Sequence, residues 1–189
     1  MNIFVLDKDP KKCAEYHCDK HVIKMILESA QLLSTAHHVC DSSIDKNLLY
    51  SKTHINHPCA KWCRESKQNY TWLYKLFCCL LAEYTYRYGK NHKSEKLLIP
   101  LATVPNIDRR NRTPAALAMP DKYRTKDVVE SYRSYYAHEK KRICKWTKRK
   151  MPAWFMKNVM QYLENERTDD NSASAFIAVF NKDFWNILA

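Results

Sequence analysis

One glycine in 189 residues, Gly89, restricts the backbone of this chain more than any other feature of its sequence. Tight hairpins and sheet bulges draw on glycine for left-handed backbone. A chain of this length with a single glycine and 7 prolines is therefore expected to be mainly α, because helices need special residues only at their ends. The length suits one compact helical domain that buries its core without staples. The eight cysteines do not change that reading. No secretory signal is expected ahead of them, since the apolar start reaches charge at Asp7. Cys78 and Cys79 adjoin in an apolar helical run, as buried free thiols do. The thiols are expected to be reduced and the protein cytoplasmic, in a bacterial host or a virus-infected cell, and not secreted. No apolar run is long enough to span a bilayer.

Along the chain, residues 2–6 are apolar and β-prone and stop at Asp7-Lys8-Asp9-Pro10, which predicts a short strand or extended arm over residues 1–10. Asp9 suits the cap and Pro10 the first turn of a helix from about Lys11 to His38 or Val39. Polar, aperiodic residues 41–56 read as a loop. One or two helices follow from Cys59 to Tyr88 and end at Gly89. Residues 91–121 hold four prolines with Arg109, Arg110 and Arg112 and read as a long irregular connection that touches substrate. Helix resumes over Lys126–Arg149, is interrupted at Pro152 and restarts near Ala153. Residues 156–189 read as a helical extension whose apolar stripe of Phe176, Phe180 and Phe184 docks on the body.

The first long helix carries the most chemistry. At ~100° per residue, His17, His21, Lys24, Glu28 and Gln31 share a sector roughly 80° wide on an otherwise mostly apolar helix. An imidazole, an amine and a carboxylate then stand in a row at His21, Lys24 and Glu28. Such a stripe either lines a cleft or is a narrow solvated face laced by a Lys–Glu pair, and the pattern leaves both readings open. His54, His57, Cys59 and Cys63 offer ligand atoms, and His17 and His21 the i, i+4 spacing, but neither set matches a common zinc signature. No metal and no other cofactor is expected. Without a glycine-rich loop, ordinary nucleoside-triphosphate or dinucleotide binding is not expected either.

The formal net charge of +12 favours a polyanionic partner, because each phosphate contact releases condensed counterions. Cations concentrate in residues 138–150, where Lys140, Lys141, Arg142, Lys145, Lys148, Arg149 and Lys150 surround Trp146. Cations that hold phosphates, interleaved with rings that stack on bases, suit a nucleic acid. Trp146 reads equally well as a stacking or a core residue, whereas Tyr132 and Tyr136, spaced i, i+4, read as core. Candidate nucleic-acid contacts are His17, Lys20, Gln31, His57, Arg109, Arg110, Arg112 and the cations and Trp146 of residues 140–150.

Three stretches occur in a suggestive order: Asp19-Lys20-His21 followed by Glu28; Asn56-His57-Pro58 leading into a helix that ends Glu83…Arg87-Tyr88-Gly89; and Met119-Pro120…Tyr123, Ser131…Arg133, Glu139-Lys140 and Pro152-Ala153-Trp154. Over residues 11–155 this order resembles the pyrimidine-dimer DNA glycosylases of the endonuclease V type found in phages and large viruses. The resemblance implies a helical fold, duplex DNA with a damaged or modified base as partner, a flipped-out nucleotide and an amine that forms an imine with the sugar. It places the family's catalytic Glu at Glu28, with His21 positioning sugar or phosphate. The family's nucleophile is the α-amino group freed when the initiator Met leaves a small residue. Here position 2 is Asn, so Met1, Asn2 and, as a fallback, Lys24 are the candidate amines. Leu27 and Gln31 stand where the family has arginines flanking the Glu. The expected function is a DNA glycosylase, with or without AP-lyase activity. The alternatives are a base- or nucleotide-modifying enzyme on a related scaffold and a non-catalytic nucleic-acid-binding protein.

Overall fold

A computed structural model describes residues 1–169, with side chains as far as Tyr162. The stripe expected at Phe176, Phe180 and Phe184 lies outside the described residues. Among those described, seven α-helices and no strand are present: α1 (Pro10–Tyr16), α2 (Asp19–Val39), α3 (Pro58–Glu65), α4 (Lys67–Tyr88), α5 (Leu98–Ala102), α6 (Val128–Glu139) and α7 (Ala153–Asp169). The expected mainly α class is what the chain adopts. Helix α4 packs on α1 and α2, α3 packs on both α2 and α4, and α6 packs on α7.

Several boundaries follow from caps visible in the sequence. The Asp9 side chain accepts from the Lys12 N–H at 2.8 Å, with Pro10 in the first turn. Ser66 separates α3 from α4 and caps the latter by accepting from the Asn69 N–H at 3.1 Å. Gly89 closes α4 in the left-handed region, at φ 64°.

Two expectations are corrected, and a third, left open between two forms, is decided. The helix expected from Lys11 to Val39 is two helices, because His17 and Cys18 are extended (ψ 134° and 162°). Their neighbourhood supplies partners that a continuous helix would not use. The Cys18 N–H donates to the Tyr136 hydroxyl at 2.9 Å, and the Asp19 N–H to the Lys145 carbonyl at 2.8 Å. Of the short strand or extended arm expected over residues 1–10, the arm is what forms, with no strand beside it among the described residues. Ile3, Phe4, Val5 and Leu6 are all buried, and Phe4 has a left-handed φ of 53°. With both faces covered, the arm cannot show the alternation of a half-buried strand. It runs between α2 and α6: Phe4 stacks on His21 with ring centroids 4.6 Å apart and meets Tyr132, Tyr135 and Tyr136. The Arg133 guanidinium donates to the Leu6 carbonyl at 2.8 Å, and the Trp72 indole to the Lys8 carbonyl at 2.8 Å. Finally, the helix expected through Arg149 stops at Glu139. Residues 140–150 form a strap across the α1–α2 joint, where the Trp146 indole donates to the Tyr16 carbonyl at 3.0 Å.

A buried ion network fastens that strap. The Arg87 guanidinium reaches Glu83 at 2.6 Å, Asp19 at 2.8 Å and the Glu15 carbonyl at 3.0 Å. Arg149 reaches Glu83 from the other side at 2.8 Å, and the Thr147 hydroxyl donates to Asp19 at 2.7 Å. Asp19, Glu83 and Arg87, singled out by their order in the sequence, are thus joined through one another and hold α1, α2, α4 and the strap together.

Candidate active site

Helix α2 and the arm create the site between them. On α2, His21 and Met25 face inward and are buried, while Lys20, Ile23, Lys24 and Leu27 are exposed. Glu28 stands on the border, its side chain 12 % exposed, so the carboxylate is sheltered yet reachable. The arm ends against it: the backbone N–H of Asn2 donates to Glu28 Oε2 at 2.7 Å. The Lys24 ammonium, 66 % exposed, lies 3.6 Å from Glu28 Oε1. Of the stripe, Glu28 stands between core and solvent, with the Lys–Glu pair on its outer side.

Asn2 is fixed at both ends of its side chain. Its Nδ2 donates to the Ala118 carbonyl at 2.8 Å. Its Oδ1 accepts from the Ile3 N–H at 2.8 Å and from the Tyr132 hydroxyl at 2.9 Å. The Cys59 thiol lies 4.0 Å from the same oxygen. Burial pushes that thiol up to about 11, although Tyr132 and the charge of the chain terminus oppose the shift. It stays protonated near neutral pH, in its weakly nucleophilic form. His57 caps α3, its Nδ1 accepting from the Cys59 N–H at 3.1 Å. Burial, then the positive chain terminus, hold its imidazole below the ordinary value, while Glu28 opposes them. His57 also borders a cavity of about 600 Å³ lined with Lys52, Thr53, His54, Ile55 and Asn56.

The structure thus brings Met1, Asn2, Lys24, Glu28 and His57 into one neighbourhood, with Lys20 and Gln31 on the same helix. It takes His17 and His21 out of any cleft. His17 is fully buried, its Nδ1 2.7 Å from the Cys13 carbonyl, and because it caps α1 it does not share the α2 wheel. His21 is 5 % exposed and stacked on Phe4, so it touches the arm and not an external ligand. Trp146 is 8 % exposed and packs edge-on to Phe155, which makes it a core residue. Arg149 serves Glu83 and Glu15, Lys148 donates to the Tyr86 carbonyl at 2.9 Å, and Arg109 pairs with Glu65 at 3.0 Å. Arg112 lies over the Trp72 ring at 4.7 Å. Arg110, Arg142, Lys145 and Lys150 are exposed, and Lys140 and Lys141 are half-buried beside Tyr135 and Tyr162. Among the described residues no group of three His, Cys, Asp or Glu side chains is arranged to hold a metal ion. Cys63 turns instead to the Leu32 carbonyl and His54 to Thr53.

The order of these parts agrees with a comparison against known families. The model of the pyrimidine dimer DNA glycosylase family matches residues 1–96. The chain belongs to that family. The matched region contains the arm, Lys24, Glu28 and His57, and also Asp19, Glu83 and Arg87. No curated protein and no solved structure matches the chain. The pyrimidine dimer glycosylase match stops short of the residues that hold Asn2: Ala118 and Tyr132 lie beyond it, as does Ala116, which accepts from Tyr132. Sequence reasoning placed Tyr132 in the core and missed its contact with Asn2. Nothing in the sequence ties two residues 130 positions apart.

Proposed function

We propose that this glycosylase removes a damaged or modified base from duplex DNA through an amine at the end of its arm, with Glu28 as the catalytic carboxylate. The observation that carries this reading is the 2.7 Å contact between the Asn2 nitrogen and Glu28. Once Met1 is removed, that nitrogen is a primary α-amine. Such amines titrate near ~8, so a usable share is neutral in the cell.

In this account the target nucleotide leaves the stack and enters the hollow beside His57. The amine nitrogen bonds to C1′ while the bond from C1′ to the base breaks, and the base departs with the electron pair and takes up a proton. Glu28 removes the proton that the attacking nitrogen must lose and offsets the positive charge that develops at C1′. The C1′–O4′ bond then opens, O4′ takes the proton from Glu28, and an imine remains. Loss of a C2′ proton to Glu28 expels the 3′ phosphate, which is the lyase step, and water releases the amine. Lys20 and Lys24, exposed on the same helix, would meet the backbone phosphates flanking the site.

Incubation with ultraviolet-damaged and abasic duplexes in the presence of borohydride tests the proposal. A covalent protein–DNA adduct is expected, mapped to the amino-terminal residue. It should persist in Lys24→Ala and disappear when extra residues block the terminus. Glu28→Gln should lower turnover by at least ~10²-fold with DNA affinity changed less than a few-fold. Absence of an adduct on both duplexes, or its location on Lys24, would overturn the assignment.

A further inference from the structure

We infer that Asn2 is a side-chain anchor for the nucleophile and that Tyr132, which holds Asn2, is a positioning residue for imine formation. The inference rests on the function proposed above and extends it to residues beyond the family match.

A terminal amine at the end of an extended arm has free rotation on one side and lacks a following turn of helix to hold it. In this chain the restraint comes from its own side chain. The Asn2 carboxamide is engaged at the donor end by the Ala118 carbonyl and at the acceptor end by the Ile3 N–H and the Tyr132 hydroxyl. The identity of the two ends is fixed, because the Ile3 N–H requires an oxygen opposite it and the Ala118 carbonyl requires an N–H. Tyr132 is fully buried, and burial raises its phenol well above the ordinary range, so it remains a neutral donor. Its single proton faces Asn2 Oδ1 and the Ala116 carbonyl, the latter at 2.6 Å. One hydroxyl on α6 therefore binds both the arm and the 116–118 segment that receives the other end of Asn2.

The consequence is chemical. With both ends of the carboxamide held, the remaining torsions of residue 2 set where its nitrogen points, and that nitrogen lies 2.7 Å from Glu28. Nucleophilic attack gains from such pre-orientation and suffers when it slackens. The same arrangement explains why this chain carries Asn where the resemblance implies a small residue. A residue without a carboxamide would leave the Ala118 carbonyl and the Tyr132 hydroxyl without their partner at Asn2.

The test is a double-mutant cycle of Asn2→Ala and Tyr132→Phe, read as the single-turnover rate of borohydride-trapped adduct on an abasic duplex. Every protein is released from an N-terminal leader so that residue 2 comes first, and its mass is verified. Each single variant is expected to form adduct about ten to a hundred times more slowly, with duplex affinity within twofold of wild type. The double variant is expected to be no slower than Asn2→Ala, since Tyr132 acts through Asn2. Asn2→Gln, which keeps the carboxamide on a longer stem, should recover part of the rate.

Multiplying losses in the double variant would make Tyr132 a general stabiliser and overturn the inference. So would a Tyr132→Phe rate within twofold of wild type. If Tyr132→Phe does not fold, the comparison of Asn2→Ala with Asn2→Gln decides: equal rates in both and in wild type overturn the anchor. Failure of wild type itself to form adduct would instead overturn the proposed function, so the two failures are distinguishable.

Discussion

The two histidines expected to face DNA are core residues, and that reversal has a measurable consequence. Burial pushes His17 down to about 4, with Cys13 opposing through its carbonyl, and pushes His21 down to about 3, helped by the charges of His17, Lys140 and Lys24. An unfolded chain titrates both near ~6.5. Above that pH both states are neutral and the full stability is present. As pH falls, the unfolded chain gains protons first, so stability drops from about 6.5 down to about 4 for His17 and about 3 for His21. Each histidine contributes up to about 1.4 kcal/mol per pH unit in its window. Urea unfolding at pH 7, 6 and 5 should show this slope, and His17→Asn, which keeps a donor for the Cys13 carbonyl, should reduce it by about one proton. An unchanged slope would mean that His17 is not buried neutral. At this scale the sequence revealed chemical type but not direction. Glu28 was singled out by its spacing from His21, which resembles a family pattern, and its place at the border of the core follows from the same helix. The inward turn of His17 was not, because it depends on a break in the helix that the wheel assumed away.

Among the elements, caps made the helices legible, and tertiary partners made their interruptions illegible. Asp9, Pro10 and Gly89 mark ends that local chemistry decides. The break at His17–Cys18 and the early stop of α6 are decided by Tyr136, Lys145 and Asp19, which belong to other elements. Residues 140–150 looked helical from composition, yet the Lys148 backbone, at φ 59°, and the bonds from Thr147 to Asp19 commit them to the strap. Arg87 is the joint of this assembly, with no side-chain exposure and with Glu83 only 4 % exposed. Removing one partner from a buried ion network leaves uncompensated charge and costs about 3–5 kcal/mol. Arg87→Ala should lose that much in urea unfolding, with Asp19 and Glu83 left facing each other. Arg87→Ala with Glu83→Gln and Asp19→Asn should recover part of it. A loss below about 1 kcal/mol, the worth of an exposed pair, would mean that the network is hydrated and not structural.

For the whole molecule, the net charge of +12 hides a division of labour among the cations. Arg87, Arg133 and Arg149 are held by carboxylates of the same chain, each less than a third exposed. Arg142, Lys145 and Lys150 of the strap are exposed, as are Lys20 and Lys24 on α2. The strap is bound at Asp19, and nine residues of α-helix separate that point from Glu28, a rise of about 14 Å. Four base pairs of duplex span a similar length at ~3.4 Å each, so one backbone can run from the strap past Lys20 and Lys24 to the Glu28 carboxylate. Such a path assigns affinity to the exposed cations and stability to the enclosed ones. Joint replacement of Arg142, Lys145 and Lys150 by Gln should weaken duplex binding and flatten the plot of log affinity against log salt by about 0.9 for each phosphate that the variant no longer neutralises. The melting temperature should hardly move. Arg149→Gln should do the reverse, lowering the melting temperature while leaving the salt slope in place. If the triple variant keeps the wild-type slope, duplex DNA does not lie along the strap, and the path must enter the site from the Lys52–His57 side instead.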